Sequence, residues 1–317
     1  MKALSTARGV AELEIRDLPL PEPGAGEVRV RVRASALNPA DQKVLGGEFA
    51  GNILHGKQRP LVAGYDFAGT VEAVGPGADL AKGDEVFGFL AYGRATRRGA
   101  FAEAVVAPSV TLARRPATLS PGDACALATA GATALQALRD IGRVKPGQRV
   151  LVVGASGGVG SLAVGVAKKL GADVTGLCSA TAVEFVRSLG ADSVIVRGQA
   201  DPLRGGSSYD VVFDPACAYS FGAVRHMLRP GGAYIPTLPS PGLFLAMGLA
   251  PLLGKRVAFL TVRSRRTDLE QLAAWAADGL RIPIDSTFPV RDVGKALARL
   301  ARGGMKGRVV IEVEGGF

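Results

Sequence analysis

"VLVVGASGGVGSLAVGVAKKLGADVTGLCS", residues 150–179, decides the fold. An apolar run enters a glycine-rich corner, a helical stretch follows from Gly158 to Leu170, and a second apolar run, Asp173–Cys178, ends at Ser179. Short apolar strands joined by a helix make the βαβ unit of a parallel sheet covered on both faces. Gly154, Gly157 and Gly160 give the spacing G-x-x-G-x-x-G between strand and helix. In a dinucleotide site one glycine makes the tight turn, one lets backbone approach the pyrophosphate, and one lets the helix pack on the strand. Gly154, Ala155, Ser156, Gly157, Gly158, Val159 and Gly160 are therefore expected to cradle a pyrophosphate at a helix N-terminus, where free N–H groups and a positive partial charge await it.

The closing serine bears on which cofactor sits there. An NAD-preferring site places an acid where the second strand ends, to hold the ribose 2′-hydroxyl. This chain has Ser179 there, nineteen residues beyond Gly160. No acid repels a 2′-phosphate, and Ser179 and Thr181 can donate hydrogen bonds to one. Arg197, just after the run "SVIV", either reaches the same pocket from the neighbouring strand or is a solvated surface residue. The expected cofactor is NADP(H).

Outside this unit, 317 residues suit two domains, and 48% apolar with 21% charged residues is a globular composition. Residues 1–10 lack the apolar core of a secretory signal. Three cysteines without paired spacing read as reduced thiols, so the expected location is cytoplasmic. A net charge of +10 raises nucleic-acid binding, but the arginines are scattered, aromatics near them are few, and no helix-turn-helix, RRM or finger pattern occurs. An anionic substrate or cofactor explains the positive surface equally well. Residues 237–254, "TLPSPGLFLAMGLAPLLG", carry no charge but are broken by three prolines and three glycines. They read as a mobile apolar flap or a subunit contact rather than a membrane span, which needs about 20 continuous apolar residues.

Residues 1–119 hold short alternating runs punctuated by Gly and Pro, as in a β-rich, barrel-like domain. "EVRVRVRASAL" (27–37) is the plainest half-buried strand among them. From Ser120, a possible N-cap before Pro121, strands and helices alternate through residue 280. Segment 281–317 ends in the strand "RVVIEV" and is expected to return to the first domain.

With these pieces in order, the chain resembles the medium-chain dehydrogenase/reductase superfamily, whose members pair a GroES-like catalytic domain with a Rossmann domain. The matching stretches include "ALNPADQKVLGG", "GYDFAGTVEAVGPGADLAKGDEVFG", "ATAGATALQAL", "VKPGQRVLVVGASGGVG", "LRPGG" and "GRVVIEV". The resemblance implies an α/β fold with a GroES-like β-barrel and a doubly wound parallel sheet. Zinc alcohol dehydrogenases of that superfamily hold their metal with Cys, His and a second Cys or an acid. The matching positions here carry Asn38 and Tyr65, with Cys125 near the third, and one thiol holds no zinc. The only two histidines, His55 and His226, lie outside these motifs, and the four-cysteine lobe is missing.

A zinc-free member is thus expected, and "NPADQK" with "GYDFAG" look like the NADPH:quinone oxidoreductases and the enone or alkenal reductases. The resemblance puts Asn38 and Asp41 beside the nicotinamide and substrate, although Asp41 could instead cap a turn. Tyr65 is a candidate hydrogen-bond donor or proton source, or else a packing residue. Thr129 and Thr133 resemble nicotinamide contacts, or they pack a helix; Thr237 and Leu238 sit where backbone binds the carboxamide. The partner is a small quinone or enone, and a homodimer is the family's habit. Two other readings stay open: an enoyl-thioester reductase drawn to an acidic acyl carrier, and a cofactor-binding regulatory or RNA-binding protein with little turnover.

Overall fold

The computed structural model describes residues 1–6, 13–46, 60–93, 96, 98–199 and 208–317. His55, Arg94, Ala95 and Arg97 lie outside the described residues.

The alternation in residues 27–37 produces β3 (Glu27–Leu37). Val28, Val30 and Val32 are buried, while Arg29, Arg31 and Arg33 face outward and meet Glu22, Glu72 and Glu85. From Ala34 onward every residue of the strand is buried, so the two-residue period ends. Two elements cover that end: the antiparallel strand β15 (Arg308–Glu312) and helix α2 (Pro121–Leu135). The sheet runs β14 (Ile284–Pro289), β15, β3, β4 (Asp66–Val74), β5 (Glu85–Phe89), β7 (Ala113–Arg114), with β6 (Ala104–Pro108) on the first half of β3. A separate hairpin pairs β1 (Lys2–Ser5) with β2 (Glu14–Asp17), and helix α1 (Pro39–Leu45) follows β3.

Among the described residues the second sheet has six strands, all parallel. They are β8 (Arg149–Val153), β9 (Asp173–Cys178), β10 (Ser193–Val196), β11 (Tyr209–Asp214), β12 (Leu228–Pro236) and β13 (Arg256–Val257). Their spatial order is β10-β9-β8-β11-β12-β13, the 3-2-1-4-5-6 order of a dinucleotide-binding sheet. The order reverses between β8 and β11, so a crevice opens at the C-terminal ends of those two strands. Helices α3 (Gly158–Lys169), α4 (Val183–Ser188), α5 (Phe221–Val224), α6 (Pro241–Leu249), α7 (Arg266–Ala277) and α8 (Val293–Arg302) complete the α-helices among the described residues. The expected α/β class, with a GroES-like domain and a parallel Rossmann-type sheet, is the fold found.

α2 lies between the two sheets. Ser120 Oγ accepts from the Asp123 N–H at 3.0 Å and Pro121 occupies the first turn, so the start is capped as the sequence suggested. All residues from Ala124 to Leu135 are buried, which explains why this helix is apolar on every side. Its alanines and Gly131 keep the approach close; a Cβ on Gly131 would sit 3.0 Å from Leu127 and 3.1 Å from Leu272. Thr129 and Thr133 thus stand on a rigid wall between the sheets.

Two segments fold differently from what their apolar runs suggest. "RVAFLTV" gives a strand of only Arg256–Val257, because its single neighbour, β12, ends at Pro236, which has no N–H to extend the ladder. Residues 237–254, broken by prolines and glycines in the sequence, nevertheless contain a capped helix. Ser240 caps α6, Pro241 takes its first position, and Leu243, Ala246 and Ala250 seat it on Phe221, Val224 and Val257. The prolines that looked like breaks stand where a helix tolerates them.

Candidate active site

The glycine corner folds by three distinct contacts. Gly154 has φ +66°, the left-handed turn that ends β8. Gly160 lies against that turn, and a Cβ there would stand 2.1 Å from the Gly154 carbonyl oxygen. Gly157 is the N-cap of α3 at φ −74°, and a Cβ there would meet only the same oxygen, at 3.4 Å. So Gly154 turns the chain, Gly160 packs helix on strand, and Gly157 leaves open space. Ala155 is buried and gives its N–H to Leu177 O, while Gly157 gives its own to Gly154 O. Those two amides are therefore engaged. The N–H groups of Gly158, Val159 and Gly160, in the first turn of α3, have no preceding helical carbonyl to bond. Ser156 contributes its carbonyl, which accepts from Gly307 N–H at 2.9 Å and ties the returning chain to the corner.

At the end of β9, Ser179 Oγ and Thr181 Oγ1 lie 3.2 Å apart. The Arg197 N–H donates to Cys178 O at 2.8 Å, so Arg197 flanks Ser179 across the β9–β10 pairing, and its residue is exposed. The structure brings these three together. At the opposite side of the crevice, β11 and β12 end in register at Asp214 and Pro236. Thr237 follows at once; its hydroxyl donates to Pro215 O at 3.2 Å and lies 3.5 Å from Cys217 Sγ. Leu238 is exposed beside it.

On α2, Thr133 Oγ1 donates to Thr129 O at 2.7 Å, a bond within the helix. Thr129 Oγ1 is buried and has no partner. A buried hydroxyl without a hydrogen bond costs about 1–3 kcal/mol, so this atom marks a place where a polar ligand group would be held.

The first-sheet residues form a tighter cluster than the sequence suggested. Asn38 donates from Nδ2 to Ala36 O at 3.3 Å and to Asp66 Oδ2 at 2.8 Å, and its Oδ1 accepts from Arg308 at 3.1 Å. Asp41 is the third residue of α1, where its carboxylate accepts from the backbone N–H groups of Asn38 and Gly64, each at 2.8 Å. It holds the turn rather than facing the cleft as an unspent carboxylate. Burial pushes its pKa up to about 7 against the pull of those two N–H groups. Tyr65 is fully buried with its ring centroid 4.2 Å from that of Tyr92. Burial and the Asp41 charge hold its phenol far above the ordinary range, so it stays protonated. The Cys125 thiol is buried, pushed well up by that burial, and donates to Ser35 O at 3.1 Å.

Two residues were missed by the sequence reading, Asp66 and Arg308. Arg308 Nη2 lies 2.7 Å from Asp66 Oδ2, and the side chains are 3% and 0% exposed. Asp66 Oδ1 also accepts from the Thr129 N–H at 2.7 Å. Burial pushes the Asp66 carboxyl upward, and Arg308 is the main force opposing it. The Arg308 stem passes over the glycine corner, 3.1 Å from where a Gly158 Cβ would stand. One side chain therefore spans the two sheets at the cleft. The available signal was a charged residue opening the apolar run of the strand "RVVIEV", whose other charge, Glu312, comes only at its far end, and an acid inside "GYDFAG".

A family model described as alcohol dehydrogenase GroES-like domain matches residues 24–117, and one described as zinc-binding dehydrogenase matches residues 189–311. The chain is 32% identical to the chloroplast envelope quinone oxidoreductase homolog of Arabidopsis thaliana, covering 96% of this chain and 95% of that protein. It is also 32% identical to a trans-enoyl reductase of Aspergillus terreus, over 89% of this chain and 85% of that protein. Among solved structures, the quinone oxidoreductase from Coxiella burnetii superposes with a TM-score of 0.88 at 30% identity, covering 99% of each chain.

Proposed function

This chain belongs to the medium-chain dehydrogenase/reductase superfamily, and on that premise we propose that it is an NADPH-dependent reductase that delivers hydride to a quinone or an activated enone or alkenal without zinc. The carrying observation is the Arg308 guanidinium on Asp66 Oδ2 and Asn38 Oδ1. A catalytic zinc needs three anionic or imidazole ligands. Here Asn38 and Tyr65 are neutral, and the buried acid beside them already holds a cation. A second cation at that place would meet like-charge repulsion in a low-dielectric site. Among the described residues no three His, Cys, Asp or Glu side chains converge.

Without a Lewis acid an alcohol is hard to oxidise, whereas a quinone or enone is already electrophilic. Bound NADPH would supply the hydride. In this reading the amides of Gly158, Val159 and Gly160 bind the pyrophosphate, and Ser179, Thr181 and Arg197 hold the 2′-phosphate. Thr129 Oγ1 and the Thr237–Leu238 backbone would orient the carboxamide. Asn38, fixed by Asp66 and Arg308, forms the polar floor, and protonated Tyr65 donates a hydrogen bond instead of cycling a proton. Loss of absorbance at 340 nm with a panel of quinones, 2-alkenals and enoyl thioesters, after dialysis against chelator, tests the assignment. Turnover should survive the chelator and favour quinones or enones. Turnover on enoyl thioesters alone would favour the second reading, which the Aspergillus relative supports. Activity that vanishes with a stoichiometric zinc would overturn both.

Cofactor choice has its own check. Ser179→Asp should weaken NADPH binding far more than NADH binding, through repulsion of the 2′-phosphate. Arg197→Ala should raise the NADPH dissociation constant about tenfold, roughly 1.4 kcal/mol, and leave NADH nearly untouched. Wild-type protein that binds NADH as tightly as NADPH refutes the choice.

A further inference from the structure

β5 ends at Phe89, which faces Asp66 across the β4–β5 ladder, and the chain then turns beside the first-sheet cluster. The Leu90 N–H donates to Tyr65 O at 3.0 Å, and Thr96 Oγ1 closes the turn on Ala91 O at 2.6 Å. Tyr92 stands in that turn, half-buried. Its ring lies on that of Tyr65, with centroids 4.2 Å apart and planes tilted by 31°, and it packs against the first-sheet core.

A tyrosine seated in this way ordinarily gives its hydroxyl to a partner. Among the described residues none hydrogen-bonds the Tyr92 hydroxyl, and unlike Thr129 Oγ1 it is not sealed from solvent. Although the oxygen touches solvent, burial of the phenol and the charges of Asp66 and Asp41 hold it well above its ordinary range. It therefore keeps its proton. The Asn38 amide has no N–H to spare, since Nδ2 already donates to Ala36 O and to Asp66 Oδ2. Tyr92 thus brings an unspent neutral donor to the edge of the cluster that floors the cleft.

On the basis of the proposed quinone or enone reduction, we propose that the Tyr92 hydroxyl donates a hydrogen bond to the substrate oxygen on which negative charge gathers. When hydride adds to the β-carbon of an enone, the C=C π pair shifts toward the carbonyl and its oxygen becomes an enolate oxygen. A quinone that accepts hydride becomes a hydroquinone monoanion. In both cases Tyr92 keeps its own proton, and the proton that completes the product comes from water. The Tyr65 ring and the core behind it hold the phenol in one direction. A donor fixed in advance stabilises the anion more than the neutral carbonyl, so it lowers the barrier to hydride transfer.

Tyr92→Phe removes one oxygen and keeps the ring against Tyr65, so its thermal unfolding should match wild type. With a quinone or enone that wild type reduces, kcat should fall about a hundredfold while the NADPH dissociation constant stays within about twofold. A probe that needs no turnover is p-nitrophenolate, an oxyanion on a flat ring. Wild type should bind it about tenfold more tightly than Tyr92→Phe, with its absorption band shifted by the hydrogen bond. Unchanged kcat in Tyr92→Phe, or equal p-nitrophenolate affinity in both chains, overturns the proposal. Wild type that reduces no quinone, enone or alkenal refutes the reductase reading and this role with it, a result distinct from an active wild type matched by its variant.

Discussion

Arg308→Met should lower stability by about 3–5 kcal/mol, the cost of leaving a buried charge without its partner. Asp66 would keep the N–H bonds from Thr129 and Asn38 but lose the one cation paired with it among the described residues, and Asn38 Oδ1 would lose its donor. Denaturant midpoints at fixed slope measure the loss. Its pH dependence carries the diagnosis. In the variant the Asp66 carboxyl would rise further above its unfolded value, because the opposing charge is gone. A group whose folded pKa is raised contributes stability at low pH and loses it as pH rises through that pKa. The deficit should therefore shrink in acid and grow toward neutrality. Asp66→Asn/Arg308→Met should recover much of the loss by removing both charges together. A single variant within about 1 kcal/mol of wild type, with no pH trend, would mean the pair is a spectator.

Gly160→Ala should fail to fold or lose roughly 3 kcal/mol, at the upper end of overpacking costs. The added Cβ would stand 2.1 Å from Gly154 O, 2.8 Å from its carbonyl carbon and 3.0 Å from Ala155 Cα. All three are backbone atoms of the turn, and none can swing aside. Gly157→Val should behave in the opposite way. Its φ of −74° suits any residue and its nearest neighbour is at 3.4 Å, so the variant should fold. The isopropyl group would stand at the N-terminus of α3, where the proposed pyrophosphate approaches the amides. The NADPH dissociation constant should rise about a hundredfold, near 2.7 kcal/mol. Circular dichroism and fluorescence titration separate the two outcomes. Normal NADPH affinity in folded Gly157→Val would show that the corner is only a turn, and a stable Gly160→Ala would show that the packing is looser than the geometry requires.

What the sequence determined by itself was local. The corner at 154–160, the strand at 173–178 and the Ser120-Pro121 helix start each depend on residues within a few positions of one another, so spacing alone carries them. The same holds for Asp41, whose turn-capping role was legible three residues after Asn38. The Ser240-Pro241 start carried the same local signal but was read as a break, because glycines and high apolarity masked the period. β3 was legible as a strand, yet its alternation stops at Ala34 for a cause hundreds of residues away, the arrival of β15. Only the tertiary structure could pair Arg308 with Asp66, which lie 242 residues apart. Only it could leave Thr129 Oγ1 without a partner. Hydrophobic and glycine patterns are fixed by the period of the backbone. A buried charge is fixed by which distant charge the fold delivers to it, and no period encodes that.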